Sequence, residues 1–404
     1  MTEKKPNNLK DILSSLKNKD NLIILLEIVI IAIAVVALIF ILGGKGKDSA
    51  TGGETPGGTS DNGSGDNGDN GDNPGETDDA PKTQYSNSSF LYFDTFTKII
   101  GAETTQDEFA EVSGKALELL AEYHKLFDIY NEYDGIVNIC TLNKVVDGEH
   151  RQLTVDQKII DMLTYAKEMY RVTDGKMNIA MGSVLSIWHD YRTAGLDDYN
   201  NASLPPMSEL QEAAKHVNID DIIIDDENNT VFLADPKMKL DVGAFAKGYA
   251  VEMVARMLED MGKTGYTVNV GGNIRTIGTK YTGDKWKAGI ENPADTTTYI
   301  EYISLAGEAV VTSGSYQRYY YVNGKSYHHI IDIDTLMPAE KGFYSVSVIC
   351  NDSGLDDGLS TALFCMTLEE GMALVNSLEG VEAMWVTTEE VKHYSSGFDK
   401  YITK

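Results

Sequence analysis

Three stretches of the chain carry side chains whose types and spacing suit chemistry on a phosphorylated ligand. In LDVGAFAKGYAVE, residues 240–252, Lys247 falls in the first turn of a helix expected to run to about Met261 and to stop at Gly262. A cation there faces the positive end of the helix dipole, while the bare backbone N–H groups attract an anion. A phosphate shared by lysine and N–H groups resolves that conflict; a surface lysine on a helix that only packs is the structural alternative. In DDGLSTALF, Asp357 and Thr361 are four residues apart and are expected on one face of a helix beginning near Asp357. A carboxylate and a hydroxyl so placed suit Mg²⁺ or Ca²⁺ bound through oxygen. An N-cap Asp with a back-bonding Thr reads the same spacing without a metal. His328 and His329 are adjacent, so on a strand they point to opposite faces and make a poor two-histidine metal site.

The elements that must position these groups follow from periodicity. Apolar residues recur at helical spacing over residues 106–130 and 155–171, with a shorter helical piece at 207–217. Strands are expected at 89–100, at 220–225 and 229–235, at 238–242 leading into the Lys247 helix, and at 346–350. A further strand over 267–278 breaks at Gly271-Gly272, where a bulge or a close ligand contact is expected. Asn323-Gly324 predicts a hairpin that ends in the two histidines. Helices come early and strands cluster late without βαβ alternation, which makes the fold class α+β.

Composition bounds the partners and the location. With 62 acidic against 34 basic residues the net charge is −28, which argues against a nucleic-acid surface. Cys140, Cys350 and Cys365 lie far apart in apolar surroundings with no CxxC spacing, which argues against a thiolate zinc site. Residues 22–42 are apolar except for Glu27 and are long enough to span a bilayer. Five lysines precede that span, and positive-inside logic puts residues 1–21 in the cytoplasm and the rest of the chain outside. Residues 43–83, rich in Gly, Asp and Asn, read as a disordered linker, and residues 84–404 as the folded domain. The expectation is therefore a single-pass protein of the cell membrane whose domain faces outward on a tether.

Taken together, LDVGAFAKGYAVE, NVGGNI, TSGSYQRYY, HHIIDIDT and DDGLSTALF, preceded by YDGIVNICTLN and TDGKMNIAMGSVLSIW, resemble the motifs of the FAD:protein FMN transferases, the ApbE-type flavin transferases. The resemblance covers about residue 90 to the C-terminus. It implies a two-part α+β domain with FAD in a cleft, and transfer of FMN from FAD to a Thr or Ser hydroxyl of a target protein with release of AMP. By the same resemblance Tyr133, with Tyr130 as runner-up, lies near the flavin, and Lys176, Met177 and Asn178 line its site. Asp241 falls on the ribityl or adenosine side and Lys247 contacts FAD. Asp357, Thr361 and the Ala244 carbonyl hold Mg²⁺, and His329 lies beside the phosphates. HHIIDID departs from the family's HHIIDP at Ile333. His329, Asp357 and Asp356 are the candidate bases, with Asp357 also neutralising charge through the metal. The acceptor implied is an extracytoplasmic flavoprotein. A Mg²⁺-dependent FAD pyrophosphatase would use the same residues with water as nucleophile, and a membrane-tethered flavin-binding protein would need the pocket without the Asp357/Thr361 pair.

Overall fold

The computed structural model describes residues 81–404. The expected cytoplasmic tail, membrane span and nearly all of the linker lie outside the described residues. Among the described residues no helix is long and apolar enough to cross a membrane.

An eight-stranded antiparallel sheet organises the chain. Its strands are β1 (Thr83–Tyr92), β2 (Thr95–Glu103), β3 (Tyr266–Val270), β4 (Asn273–Ile277), β5 (Ala309–Gly314), β6 (Phe343–Cys350), β7 (Glu382–Thr387) and β8 (Lys392–Tyr394). Their order in space is their order in the chain, and every neighbouring pair is antiparallel. The sheet is thus a meander interrupted by insertions. The longest, between β2 and β3, supplies α1 (Gln106–Phe127), α2 (Gln157–Val172), α3 (Gly182–Asp197) and α4 (Ala246–Asp260); α5 (Ser353–Phe364) and α6 (Leu368–Ser377) lie between β6 and β7. The α+β class expected from the sequence holds.

Two sequence expectations change into tight turns. The strand expected at 89–100 is the hairpin β1–β2, turning at Phe93-Asp94 with φ of 53° and 50°. Apolar character continues through the turn, so composition does not mark it. The strand does break at Gly271-Gly272, but without a bulge. The pair is the two-residue turn of the β3–β4 hairpin, with φ of 60° and 92°, a conformation glycine adopts without strain. The hairpin expected on Asn323-Gly324 is present, pairing Tyr319–Val322 with Lys325–His328.

Alternation along the strands separates two faces. On the inner face Ile99, Val268, Val270, Val346 and Val348 meet Leu120, Ile160, Val254 and Leu363 from the helices in the main core. On the outer face a separate hairpin, Trp286–Asn292 with Asp295–Leu305, buries Ile290 and Ile303 against Val310, Ile349 and Met384. A third cluster joins α3 to the 319–328 hairpin through Val184, Trp188, Tyr320 and Val322, and the Trp188 indole donates to the Leu336 carbonyl at 3.0 Å. The cleft described below takes its walls from residues of the main core and of this smaller cluster.

Two element boundaries differ from the sequence reading. Residues 238–242 form no strand; Lys239 makes only an isolated bridge to Met181. There α3 packs so closely that a Cβ on Gly182 would lie 2.4 Å from the Lys239 carbonyl oxygen, which displaces any partner strand. Helix α5 begins at Ser353 rather than near Asp357, because the Asp352 side chain caps it by accepting from the Gly354 and Leu355 N–H groups. Asp357 and Thr361 therefore stand in the body of the helix, and the N-cap alternative for Asp357 falls.

Candidate active site

Helix α4 starts without a cap of its own: Phe245 at its N-cap position makes no side-chain hydrogen bond. The missing acceptor comes from α5. Asp357 Oδ2 accepts from the Gly248 N–H at 2.8 Å and lies 3.7 Å from Lys247 Nζ. A carboxylate of the chain itself thus offsets part of the conflict between Lys247 and the helix dipole. Only glycine at 248 permits this approach, since a Cβ would lie 2.2 Å from the Ser353 carbonyl oxygen and 2.5 Å from Asp357 Cβ. The approach is locked from behind by a buried ion pair. Glu252 Oε2 on α4 accepts from Arg275 Nε on β4 and from the Ser353 N–H at the start of α5, both at 3.0 Å.

In front of this junction lies a cleft of about 330 Å³, in the range of small-molecule sites. Its walls include Lys176, Met177, Asn178, Asp241, Ala244, Lys247, His329, Asp357 and Thr361, so nine of the ten residues first assigned to the flavin, the phosphates or the metal share it. Tyr133 is the exception. Its hydroxyl donates to Asp128 Oδ2 at 2.8 Å, and the cleft wall is formed instead by Tyr130, Asp128 and His124. Asp128 also accepts from the backbone N–H groups of Tyr130 and Asn131 at 2.7 and 2.9 Å. Burial raises the Asp128 pKa, but the hydrogen bonds from Asn131, Tyr130 and Tyr133 outweigh it and hold the carboxyl below its ordinary value. Tyr133 thereby braces the loop that presents Tyr130. The ten-residue gap used to choose Tyr133 does not reveal which ring the turn projects into the cleft.

Three other residues line the cleft with their polar groups already engaged. Lys176 pairs with Asp334 and lies 3.7 Å from Asp332 Oδ1. The Asn178 amide donates to the Val217 carbonyl and accepts from the Ala180 N–H, both at 2.9 Å, so it shapes the wall. Asp241 caps its own turn, accepting from the Gly243 N–H at 2.9 Å, and its other oxygen lies 3.7 Å from His189 Nε2.

The oxygens proposed for a cation come together. Thr361 Oγ1 lies 3.4 Å from the Ala244 carbonyl oxygen and 3.2 Å from Ser313 Oγ. Among the described residues Asp357 Oδ1 takes no hydrogen bond, although the residue is 4% exposed. This all-oxygen donor set fits a hard divalent cation. It holds one carboxylate, and no group of three or more His, Cys, Asp and Glu side chains suited to a metal occurs among the described residues. Asp356, the alternative base, is fully buried and accepts from the Cys350 N–H at 3.3 Å behind the cleft, where it reaches no ligand. Its pKa is raised well above the ordinary value by that burial.

His329 Nδ1 lies 3.1 Å from the Arg318 carbonyl oxygen, an acceptor only, so Nδ1 carries the proton and Nε2 is left with a lone pair. Burial and the nearby Arg318 guanidinium pull its pKa down to about 3, which keeps the ring neutral.

The sequence reading missed Arg192, His189, Arg318 and Asn273, all of which line the cleft. His189 and Arg192 are three residues apart on α3, a spacing that places them on one face and was available as a signal. Tyr130 joins them through its hydroxyl, 3.2 Å from His189 Nδ1. Asn273 is 3% exposed and its Nδ2 has no partner among the described residues; nothing in its local sequence marks it.

A helix N-terminus, a lysine, two arginines and a cluster of oxygen donors converge on one cleft, a lining suited to an anionic ligand. The chain belongs to the ApbE family, whose model matches residues 93–385. It is 29% identical over 269 residues to an FAD:protein FMN transferase of Klebsiella pneumoniae, covering 65% of this chain and 81% of that one. It is 32% identical over 248 residues to the FAD:protein FMN transferase of Vibrio cholerae, covering 60% and 72%. Among solved structures, the ApbE protein of Thermotoga maritima superposes with a TM-score of 0.69 at 27% identity, over 80% of this chain and all of that one. The flavin transferase ApbE of Vibrio cholerae shares the fold, with a TM-score of 0.65 at 23% identity.

Proposed function

We propose that the chain transfers FMN from FAD to a Thr or Ser hydroxyl of a target protein. Support comes from family membership and from the relatives' names. The observation that carries the mechanism is the meeting of Lys247, the α4 N-terminus, Asp357 and His329 in one cleft. The acceptor oxygen forms a bond to the FMN phosphorus as the bond from that phosphorus to the bridging oxygen breaks, and AMP leaves with that oxygen. Catalysis of such a transfer rests on positioning and charge neutralisation. Lys247 and the first-turn N–H groups hold the diphosphate. His329 takes the hydroxyl proton at Nε2. The Ala244 carbonyl, the Asp357 carboxylate and the Thr361 hydroxyl would hold Mg²⁺, which when bound supplies electrostatic stabilisation of the diphosphate oxygens.

The apolar segment at 22–42 and the lysines before it support an outward-facing domain on a membrane anchor, acting on an extracytoplasmic flavoprotein. Mass spectrometry of an exported acceptor co-expressed with the chain tests the reading. An FMN adduct on Thr or Ser is expected, with one AMP released per adduct. AMP formed from FAD with no adduct on any acceptor would instead make the chain a pyrophosphatase.

A further inference from the structure

Next to the oxygens proposed for the cation runs a short row of hydroxyls. Ser313 on β5 brings its Oγ within 3.2 Å of Thr361 Oγ1 and 2.8 Å of Ser360 Oγ. Ser360 Oγ in turn lies 2.9 Å from the Asp357 carbonyl oxygen, one turn back on α5. At the other end Thr361 Oγ1 lies 3.4 Å from the Ala244 carbonyl oxygen. The row thus begins and ends on a backbone carbonyl, which only accepts. Ser313, Thr361, Asp357 and Ala244 line the cleft, whereas Ser360 is fully buried and is not among its lining residues.

Each hydroxyl has one proton to donate. Three protons serve four contacts, so one contact holds none. An O–H···O bond prefers about 2.5–3.0 Å, so the contact left without a proton is the longest, the 3.4 Å approach to Ala244. The direction of every other bond follows from the network. Thr361 donates to Ser313, Ser313 to Ser360, and Ser360 to the Asp357 carbonyl. No proton then stands between Thr361 Oγ1 and the Ala244 carbonyl oxygen, the two neutral oxygens assigned to the cation.

We propose that Ser313 and Ser360 are positioning residues for the cation, drawing the Thr361 proton away from Ala244 so that both oxygens keep lone pairs for the ion. The inference rests on the cation reading given above and deepens it. Without Ser313, the Thr361 proton has only the Ala244 carbonyl to turn to. Without Ser360, the Ser313 proton turns to Thr361 and drives the Thr361 proton the same way. The two serines act in series, so losing both does no more than losing one.

The test titrates Mn²⁺ into the full chain, with and without FAD and against an FAD blank, and reads free Mn²⁺ by electron paramagnetic resonance. Ser313→Ala and Ser360→Ala are each expected to weaken Mn²⁺ binding by about 10-fold or more, as for partners that orient metal ligands. The double variant is expected within about threefold of either single one. Ser313→Thr keeps a hydroxyl and is expected to bind Mn²⁺ within about threefold of the unaltered chain. Unchanged affinity in Ser360→Ala overturns the relay, because a serine that only touched the ion at 313 would not need its buried neighbour. Losses that multiply in the double variant overturn it as well. Should Ser360→Ala fail to fold, Ser313→Ala and Ser313→Thr decide: equal losses in the two sink the proposal. An unaltered chain that binds no Mn²⁺ in either condition overturns the cation reading itself, and the relay falls with it.

Discussion

Lys247 on α4 and Asp357 on α5 stand 3.7 Å apart, and the same carboxylate caps α4 through the Gly248 N–H. One group therefore does two things: it completes a helix N-terminus and neutralises the lysine in that helix's first turn. The two roles separate by substitution. Asp357→Asn keeps an acceptor for the N–H but loses the charge. FMN transfer is expected to fall at least 100-fold, the order found when a catalytic electrostatic group is removed, while the midpoint of thermal unfolding shifts little. A transfer rate within threefold of the unaltered chain would rule out Asp357 as a charge-neutralising residue.

Lys247→Met removes the ammonium and keeps the bulk of the side chain. A charge-assisted contact of about 1.5–3 kcal/mol corresponds to a loss of FAD affinity of roughly 10- to 150-fold. Titration of flavin fluorescence checks this, and unaltered affinity would show that the lysine serves only its ion pair.

His329 is held neutral in the fold, with a pKa of about 3 against an ordinary value near 6.5. Because the folded value is depressed, its contribution to stability is present above the unfolded value and is lost as pH falls from about 6.5 towards 3. His329→Asn should therefore flatten the decline of unfolding free energy between pH 6.5 and 4, measured by urea titration. The same variant should lower kcat by about 10²- to 10⁴-fold, as for removal of a general base. A full rate with Asn at this position would assign the proton to another group.

Tyr130, the runner-up from motif spacing, lines the cleft, while the Tyr133 hydroxyl donates to Asp128. Tyr130→Ala should weaken FAD binding by roughly 2- to 13-fold, from loss of an aromatic contact worth about 0.5–1.5 kcal/mol. Tyr133→Phe should leave binding within about threefold and act through the loop, since it deletes only the hydroxyl bonded to Asp128. The reverse ranking in a binding titration would restore Tyr133 as the flavin contact.

The α4–α5 approach depends on Gly248 and on Glu252. Gly248→Ala is expected to destabilise the domain by about 2 kcal/mol or more, because the added Cβ meets backbone that cannot yield. Glu252→Gln leaves Arg275 with only the half-exposed Glu259 as an ionic partner, and should cost about 3 kcal/mol. Chemical denaturation measures both, and a wild-type unfolding free energy for either would show that the helices can separate without penalty.

What the sequence by itself determined is whatever repeats along one element or is confined to one turn. Helical spacing revealed α1, α2 and α4, the position of Lys247 in a first turn, and the terminal Gly262, whose φ is 70°. The Asn323-Gly324 turn belongs to the same class, as does the motif set that led to the family. Tertiary structure alone decided which of these groups meet. Asp357 caps a helix 109 residues away, Tyr130 rather than Tyr133 lines the cleft, and Arg192, Arg318 and Asn273 enter the cleft from separate elements. Periodicity encodes which face of an element is apolar, but the polar partner across an interface is set by how closely two backbones pack. Here that distance is fixed by the absence of a side chain at Gly248 and by a buried carboxylate at Glu252, and neither announces its partner in the order of residues.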